Sequence, residues 1–483
     1  MNMLAVAFGI YLVLILGVGF HASKLTKDMK DFALGGNRLG PWVIAFSERA
    51  SGESAWLLIG LPGAALMAGY FELWTVIGCI SGIIFSWMMI AKPLRIMTEK
   101  YDAITLPELL SKRFNDEKGT IRFLSALIIT FFFVFYVAAQ FSGAGKVLNV
   151  TFGLTHIEGM ILGAVIIIFY TLLGGFLAVA WTDLIQGIIM ISTLVILPIV
   201  GFIKLSSLPE YTLPHIDTLM GGKTGIPAIV GMIGGLSWGL GYMGQPHLIT
   251  RFMAIDSPDN IQKSRRIAIT WAIPAFFGAM FIGLLGSAMM ETGLLVYNGE
   301  QIFSVQDLPD REKLMPIMAS SLLPAWLAGI FISGAIAAMM STADSQLLVS
   351  TSVLTEDLLA QNIQTIPGLS KLSWSRIFTL IIGLIAFLMA WQTKDLVFEM
   401  VSYAWSGLGA AFGPALLLTL WWKRTRREGI IAGLLVGALS TIIWANIHGL
   451  SLMISERLMS FTFAFLSVIF VSIYYEKKSD NRN

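Results

Sequence analysis

The sequence predicts an all-α integral membrane protein with about thirteen transmembrane helices in one membrane domain. Three observations support this fold class. First, 56% of the 483 residues are hydrophobic and 13% are charged, against about 25% charged in ordinary soluble domains. Second, apolar segments long enough to cross a hydrocarbon core of about 30 Å recur along the chain. Third, two of these segments are interrupted at a similar place.

Thirteen segments meet the requirement of roughly 20 apolar residues per membrane-crossing helix. We expect the first of them to remain as a helix, because its apolar run is too long for a cleavable signal peptide. The single cysteine, Cys79, lies in the third segment, so no intrachain disulfide can form. The predicted spans are 3–21, 40–69, 72–91, 123–148, 156–176, 184–203, 226–246, 269–292, 322–350, 376–392, 398–422, 429–447 and 458–475.

The positive charges predict the orientation, because cytoplasmic loops retain an excess of lysine and arginine. With thirteen spans, 24 of the 32 lysines and arginines, Arg251 and Arg482 among them, lie in loops on the side of the C-terminus. Seven, including Lys146, lie on the other side, and Arg49 lies within a span. We therefore expect an external N-terminus and a cytoplasmic C-terminus in the inner or plasma membrane. Basic runs such as "KRTRRE" are orientation signals rather than nucleic-acid patches.

The second span contains "SERASGES" and the seventh contains "GGLSWGLGYMGQP". Non-helical backbone at membrane depth is tolerated where it lines a cavity or is buried by protein. A matched pair of such breaks indicates a secondary transporter built from inverted repeats, here 40–203 and 226–422, with an extra helix at 3–21 and two more within 429–475. Close helix packing is the alternative; it explains some of the 47 glycines but not the charges beside them.

Ionisable residues inside spans cost about 2.5 to 3.5 kcal/mol each and are usually functional. Arg49 and Glu53 are four residues apart and could pair if the helix continued. Glu48 could instead pair with Arg49 from another direction. The hydroxyls of "MMSTADSQLLVSTS" in the ninth span suit a hard cation such as sodium. The ionisable residues that we single out within the spans or directly beside them are Glu48, Arg49, Glu53, Asp183 and Asp344.

Four aromatic residues with polar tips flank the two breaks or lie in the fourth span: Trp56, Tyr136, Trp238 and Tyr242. They could enclose a small zwitterion, whose ammonium group is attracted by ring faces. The alternative is chance, since the chain has 31 Phe, 14 Trp and 11 Tyr. The histidines lie in loops or at span ends without the spacing of metal ligands: His21, His156, His215, His247 and His448. The chain has no phosphate loop, no "HExxH" and no nucleophile elbow with a plausible triad, so we do not expect an enzyme.

Several motifs, in order from about residue 30 to 475, resemble the sodium/solute symporter family and its sodium/proline branch. They include "GGNRLGPWVIAFS", "LLGGFLAVAWTDLIQG", "SWGLGYMGQPHLITRFMA" and "MSTADSQLLVSTSVLTEDL". The resemblance implies a fold similar to the bacterial leucine transporter, with five plus five helices in inverted repeats. It implies a sodium ion held by carbonyls of Ala50 and Glu53 and hydroxyls of Ser341 and Thr342. It also implies a possible second ion site at Asp183, Asp344 and Ser345, and substrate contacts at Ser54, Trp56, Tyr136, Trp238, Tyr242, Gln245 and Pro246.

The chain departs from the branch at its first break, where relatives typically read "GASDMSGW" and this chain reads "RASGESAW". Their aspartate falls on Gly52 and their methionine on Glu53. Either Glu53 serves the region of the missing aspartate and preserves sodium coupling, or it is a protonatable group that couples transport to protons. Asp344 likewise stands where relatives usually carry a hydroxyl residue.

The resemblance implies a sodium-coupled symporter that imports a small amino acid, with L-proline expected, by alternating access. The expected partners are this substrate and the lipid bilayer, without nucleic acid, and a monomer suffices. The alternatives are a proton-coupled or mixed-ion symporter of another small solute, and a transporter-like sensor or channel.

Overall fold

The structure, a computed structural model, describes residues 3–214, 216–359 and 370–480, so His215 and Arg482 lie outside the described residues. The described chain is almost entirely helical, with one short β-hairpin. In chain order the α-helices are α1 (Met3–Ser23), α2 (Met29–Leu34), α3 (Pro41–Gly52), α4 (Leu61–Ala68), α5 (Leu73–Phe85), α6 (Ala91–Tyr101), α7 (Leu106–Arg113), α8 (Thr120–Phe152), α9 (His156–Leu173), α10 (Phe176–Ser206), α11 (Ile226–Leu236), α12 (Trp238–Gly241), α13 (Pro246–Ala254), α14 (Ile261–Glu291), α15 (Leu314–Leu322), α16 (Ala325–Val353), α17 (Lys371–Gln392), α18 (Val397–Trp421), α19 (Arg427–Asn446), α20 (His448–Met453) and α21 (Glu456–Asp480).

Ten helical segments are long and apolar enough to cross a membrane, or eleven if a bent pair counts as one span, within the described residues. The bent pair is Ile226–Gly241 with Pro246–Ala254, which meet at 41°. The predicted integral membrane fold is therefore confirmed, whereas the predicted number of thirteen spans is not confirmed by this criterion. Every predicted span nevertheless overlaps one or more of the helices above.

Both predicted breaks are present, but the first is shorter than "SERASGES". The helix α3 starts at Pro41, which suits the first turn because it lacks an N–H group, and continues through Gly52. Glu53 leaves helical geometry with φ −103° and ψ 71°, and a π-helical turn, Trp56–Gly60, then leads into α4. Six of the eight residues of "SERASGES" are therefore helical, and the interruption lies at Glu53 and Ser54.

The second break separates α12 from α13 through a turn at Tyr242–Gln245. The helix α13 again starts with a proline, Pro246. The two breaks lie side by side, since Trp56 after the first stacks on Trp238 before the second at 5.0 Å between ring centroids. The interrupted backbone of both helices is thus buried within the protein, as its unpaired groups require.

The most buried helices are those that surround the breaks. In α16, 78% of the most apolar 18-residue stretch is buried, and in α18 83% is buried. The corresponding stretches of α1 and α17 are 22% and 28% buried and face outward. The core of the protein therefore contains α3, α16 and α18, which carry most of the residues discussed below.

Helix α5 approaches the second broken helix at backbone distance. A Cβ atom at Gly78 would lie 2.6 Å from the carbonyl oxygen of Leu236, and Gly82 packs directly on the backbone of Gly239. Glycine is required at such contacts because there is no room for a side chain. Close packing at glycines and interrupted helices are therefore both present in this chain.

The segment that joins α14 to α16 is folded rather than extended. A hairpin of β1 (Leu295–Tyr297) and β2 (Glu300–Ile302) precedes two 3₁₀ turns. The helix α15 then begins at Leu314. The helix α7 lies in "TLPELLSKRF", where the Thr105 side chain accepts a hydrogen bond from the Glu108 amide at 3.1 Å.

Candidate functional site

Three charged residues at the end of α3 form a buried cluster. Arg49 donates through Nη1 to Glu53 Oε1 at 2.7 Å and through Nε to Glu48 Oε2 at 2.6 Å. The Trp87 indole also donates to Glu48 Oε2, at 3.1 Å. The pairing of Arg49 with Glu53 expected for a continuous helix is confirmed, and Glu48 pairs with Arg49 as well. Two carboxylates around one guanidinium leave this cluster with one net negative charge when all three are ionised.

Glu53 also links the two breaks. The Tyr242 hydroxyl donates to Glu53 Oε1 at 3.0 Å and lies 3.3 Å from Oε2. The aspartate of relatives would start from Gly52, where a Cβ atom would lie 3.8 Å from Arg49 Nη2. The Glu53 carboxylate and a side chain at position 52 therefore approach the same guanidinium.

The hydroxyls of α16 contact the carbonyls of α3, as the sodium site implied by the resemblance requires. Ser341 Oγ lies 2.9 Å from the Ala50 carbonyl oxygen, and Thr342 Oγ1 lies 3.0 Å from the Ser51 carbonyl oxygen. The structure thus brings Ala50, Ser341 and Thr342 together. It places the carbonyl of Ser51, rather than that of Glu53, beside Thr342. Oxygen ligands of this kind suit a hard cation.

A second polar cluster lies between α3, α10, α13 and α16. Asp183 Oδ2 accepts hydrogen bonds from Ser47 at 2.6 Å and Ser51 at 3.1 Å, and pairs with Arg251 Nη2 at 3.2 Å. Arg251 donates to Ser51 Oγ at 2.8 Å and to Ser345 Oγ. The side chains of these residues are fully buried. The predicted second ion site therefore contains a guanidinium from α13.

Asp344 adds a second carboxylate to this cluster. Its Oδ1 accepts from Ser345 Oγ at 3.3 Å. Neither Asp344 Oδ2 nor Asp183 Oδ1 accepts a hydrogen bond from any of the described residues. Buried carboxylate oxygens without partners are costly and require an explanation. Arg251 balances one of the two carboxylates, so the cluster keeps one negative charge when both are ionised.

Aromatic rings fill the space beside the breaks. Trp56 and Trp238 stack with an interplanar angle of 16°, and Phe398 of α18 packs 5.1 Å from the Trp238 ring. Tyr242 meets the edge of Trp405 at 4.6 Å. Trp405 donates its indole N–H to the Trp238 carbonyl at 3.0 Å. Sequence reasoning missed Trp405 and Phe398, because both residues lie far from the breaks along the chain.

Ser54 belongs to a small amide network at the first break. Gln140 of α8 accepts from the Ala55 amide at 3.1 Å and donates to Ser54 Oγ at 3.4 Å and to the Tyr136 carbonyl at 3.2 Å. The Tyr136 hydroxyl makes no hydrogen bond with another described residue. Gln140 is a further polar residue that sequence reasoning missed, since a lone glutamine in an apolar span carries no motif.

Gln245 and Pro246 end the second break. Gln245 Nε2 donates to the Trp405 carbonyl at 3.0 Å, while its Oε1 has no partner within the described part of the chain. All seven predicted substrate residues are buried. The site is therefore closed to both sides in this conformation, and a substrate can enter only if helices move.

Two residues that the sequence placed in loops lie in the core. Arg251, counted among the loop charges, is fully buried one turn beyond His247. His247, expected in a loop or at a span end, is also fully buried, with its ring 5.9 Å from Tyr136. The buried positions of both residues could not be recognised from sequence, because "QPHLITRF" resembles the polar end of a span. Arg251 is better understood as the counter-charge of Asp183.

The start of α18 is tied to the segment between α14 and α16. Glu312, which is 1% exposed, accepts from the amides of Val397 and Phe398 at 2.9 Å each, at the start of α18. Lys146 Nζ lies 2.5 Å from Glu312 Oε2 and 2.6 Å from Asp310 Oδ2. Lys146, counted from sequence among the charges opposite the C-terminus, is therefore a buried partner of Glu312. The contacts connect α8, the segment between α14 and α16 and the start of α18.

Sequence comparison places the chain among transporters. The sequence model of the Sodium:solute symporter family matches residues 32–437. The Sodium/proline symporter of Escherichia coli (strain K12) is 37% identical over 482 residues, which are 97% of this chain and 92% of that protein. The High-affinity proline transporter PutP of Bacillus subtilis (strain 168) is 39% identical over 467 residues, 96% of each chain.

Comparison with solved structures supports the fold. A Na⁺-coupled sialic acid symporter in a substrate-bound outward-open state matches with a TM-score of 0.77 and 18% identity over 98% of both chains. Mhp1, a nucleobase-cation-symport-1 family transporter, matches with a TM-score of 0.56 and 12% identity, over 92% of this chain and 95% of that one. The family match covers most of the chain. The chain belongs to the Sodium:solute symporter family.

Proposed function

We propose that the protein imports L-proline together with sodium by alternating access. The observation that carries this proposal is the contact of the α16 hydroxyls with the α3 carbonyls directly beside a buried aromatic group at both breaks. The substrate follows from the relatives that are named proline symporters and align over nearly the whole chain. The resident ion is sodium, the coupling ion in the name of the family.

For the main ion site we propose the carbonyls of Ala50 and Glu53 and the hydroxyls of Ser341 and Thr342. The Ser51 carbonyl is an additional candidate, because Thr342 contacts it at 3.0 Å. The hydroxyls now donate to carbonyls, and a cation among these oxygens would attract the lone pairs of both groups. The neighbouring residue Ser54 would then contact the substrate.

We propose Asp183, Asp344 and Ser345 as a second cation site. The charge balance supports it, since two carboxylates face one guanidinium and two carboxylate oxygens lack partners in the described structure. A sodium ion would supply the missing positive charge. Further along α16, Gln346 and Ser350 are buried with side-chain atoms that have no described partner, which suits a hydrated route for the ion.

For the substrate we propose contacts with Ser54, Trp56, Tyr136, Trp238, Tyr242, Gln245 and Pro246. The Tyr136 hydroxyl and Gln245 Oε1, which have no hydrogen-bond partner among the described residues, would be available for the substrate's charged groups. The stacked rings of Trp56 and Trp238 provide an apolar surface for a pyrrolidine ring. Glu53 holds the two breaks together by accepting the hydrogen bond of Tyr242. It contributes negative charge to the site but does not itself contact the substrate.

We further propose thirteen membrane crossings, with repeats at 40–203 and 226–422, an extra helix at 3–21 and two more within 429–475. The chain reverses after α4, where Gly69 has a positive φ of 60°, so Trp56–Tyr101 would form parts of two crossings. The shorter helix α9 would be another. The C-terminus would face the cytoplasm and the N-terminus the outside of a plasma membrane, and a monomer would suffice.

The test is uptake of labelled L-proline into liposomes that contain the purified protein. An inward sodium gradient, an inward proton gradient and no gradient are compared. We expect sodium to drive uptake, and the absence of uptake under every gradient would overturn the assigned substrate.

Two variants refine the assay. Glu53→Gln keeps the size of the side chain but removes its charge, and Glu117→Gln makes the same change at an exposed position. We expect Glu53→Gln to weaken proline uptake while leaving it driven by sodium. Proton-driven uptake that Glu53→Gln abolishes and Glu117→Gln preserves would instead identify Glu53 as a proton-coupling group.

A further inference from the structure

A basic cavity lies at the membrane end of two helices, away from the transport site. It has a volume of about 930 Å³ and is bounded by α6 on one side and the end of α18 on the other. The Trp421 indole donates to the Met89 carbonyl at 2.9 Å and joins the two walls. Both helix ends lie on the side of the chain that carries the C-terminus in the proposed topology.

The charges of this cavity are all of one sign. Among the described residues that line it there are four cations, Lys92, Lys100, Arg113 and Lys423, and no carboxylate. Lys92 lies 3.8 Å from Asp259, and both side chains are exposed, so this pair contributes little. The described residues provide no ion-pair partner within 4.0 Å for Lys100, Arg113 or Lys423. The cavity therefore presents a positive charge that no described residue of its lining balances.

The remainder of the lining is typical of the membrane interface. Tyr101 and Trp422 are partly buried, and Trp421 is 54% exposed. Such aromatic side chains are enriched where hydrocarbon meets head groups. On the hydrocarbon side, Met88 and Ile96 are 55% and 50% exposed. The lining thus changes from apolar to cationic in the direction of the membrane surface.

We propose that this cavity binds an anionic glycerophospholipid of the cytoplasmic leaflet. Its phosphate would lie among Lys100, Arg113 and Lys423, since basic pockets between membrane helices on this side bind lipid head groups. An acyl chain would follow Met88 and Ile96. The proposal rests on the orientation given under the proposed function, but it does not depend on the identity of the transported solute.

Binding is measured by native mass spectrometry of delipidated protein titrated with phosphatidylglycerol, phosphatidylcholine or inorganic phosphate. We expect phosphatidylglycerol to bind at least tenfold more tightly than phosphatidylcholine. Inorganic phosphate at the same concentrations should not compete. Competition by inorganic phosphate at equal concentration would identify a free-anion site and overturn the proposal.

The test variant is a triple variant that combines Lys100→Gln, Arg113→Gln and Lys423→Gln. We expect its affinity for phosphatidylglycerol to fall on the order of 100-fold, because each cation near an anionic surface contributes about 1 kcal/mol. The matched control, Lys118→Gln with Lys263→Gln and Arg266→Gln, removes the same charge from residues outside the cavity and should keep the affinity.

Further measurements distinguish a loss of lipid binding from a folding defect and from a failure of the proposed transport function. The three single variants, each expected to lose about fivefold in affinity, replace the triple variant if it does not fold. Equal binding by wild type and the cavity variants would overturn the proposal even if proline uptake is normal. A failure of proline uptake with selective phosphatidylglycerol binding would overturn the proposed substrate and leave the lipid site standing.

Discussion

Tyr242 at the second break donates its hydroxyl to the carboxylate of Glu53 at the first break, at 3.0 Å. Both side chains are buried, and the Arg49 guanidinium lies 5.5 Å from the centre of the Tyr242 ring. The two interrupted helices are therefore held together by a charged polar contact at the centre of the protein. Each partner of this contact can be removed separately, which makes its contribution measurable.

We predict that Tyr242→Phe weakens proline binding by about 5- to 30-fold. The change removes a hydrogen bond to a charged group, which contributes about 1.5 to 3 kcal/mol, and part of that loss falls on binding. Equilibrium binding of labelled proline measures the effect. Tyr403→Phe is the control, because Tyr403 packs against Phe132 and Phe135 rather than against a carboxylate. Unchanged affinity in Tyr242→Phe would show that the contact does not shape the site.

We predict that Arg49→Gln destabilises the fold by about 3 to 5 kcal/mol, because it leaves two buried carboxylates without a counter-charge. Combining Arg49→Gln with Glu53→Gln should recover part of this loss, since one of the carboxylates is then neutral. Unfolding by denaturant in mixed micelles, measured for wild type, both single variants and the double variant, gives the coupling energy. Additive losses would mean that Arg49 and Glu53 act independently.

We predict that Asp344→Asn lowers the number of sodium ions transported with each proline by one. The substitution leaves Asp183 balanced by Arg251 at 3.2 Å, so the cluster no longer requires an additional cation. The sodium-to-proline ratio in liposomes is the measurement. Asp357→Asn is the control, since Asp357 is also buried but accepts from Thr105 at 2.7 Å. An unchanged ratio in Asp344→Asn would argue against the second ion site.

We predict that Glu312→Gln speeds amide hydrogen exchange at Val397 and Phe398 on the order of tenfold. These amides donate to the Glu312 carboxylate, and a neutral amide accepts more weakly than a charged carboxylate. Mass spectrometry of the peptide that contains the start of α18 measures the rate. Glu300→Gln on the exposed hairpin of the same segment is the control. Equal exchange in wild type and Glu312→Gln would show that the carboxylate does not hold this helix end.

The positions of the helices could be predicted from sequence because long apolar runs are separated by charged loops. The break at Glu53 was also detectable, since charge and glycine interrupt an apolar run. Its extent was not, because Arg49 neutralises its neighbours and lets α3 continue to Gly52. Local pairing of this kind favours a helix that composition alone disfavours.

The partners of the second cluster could not be predicted from sequence. Asp183 and Arg251 are 68 residues apart, and their contact depends on how α10 packs against α13. Arg251 follows the break closely enough to be mistaken for a loop charge. Lys146 was misplaced for the same reason, because a lysine near the end of a span is ordinarily solvated. In both cases a buried carboxylate that is distant along the chain determines where the cation lies.

The contact of α5 with the second broken helix limits how the protein can move. Where Gly78 faces Leu236, no side chain separates the two backbones, so neither helix can roll or slide without a collision. Segments packed in this way move as a rigid body. The rearrangement that opens the closed site must therefore take place at other interfaces, where exchangeable polar contacts such as those between α3 and α16 can break and re-form.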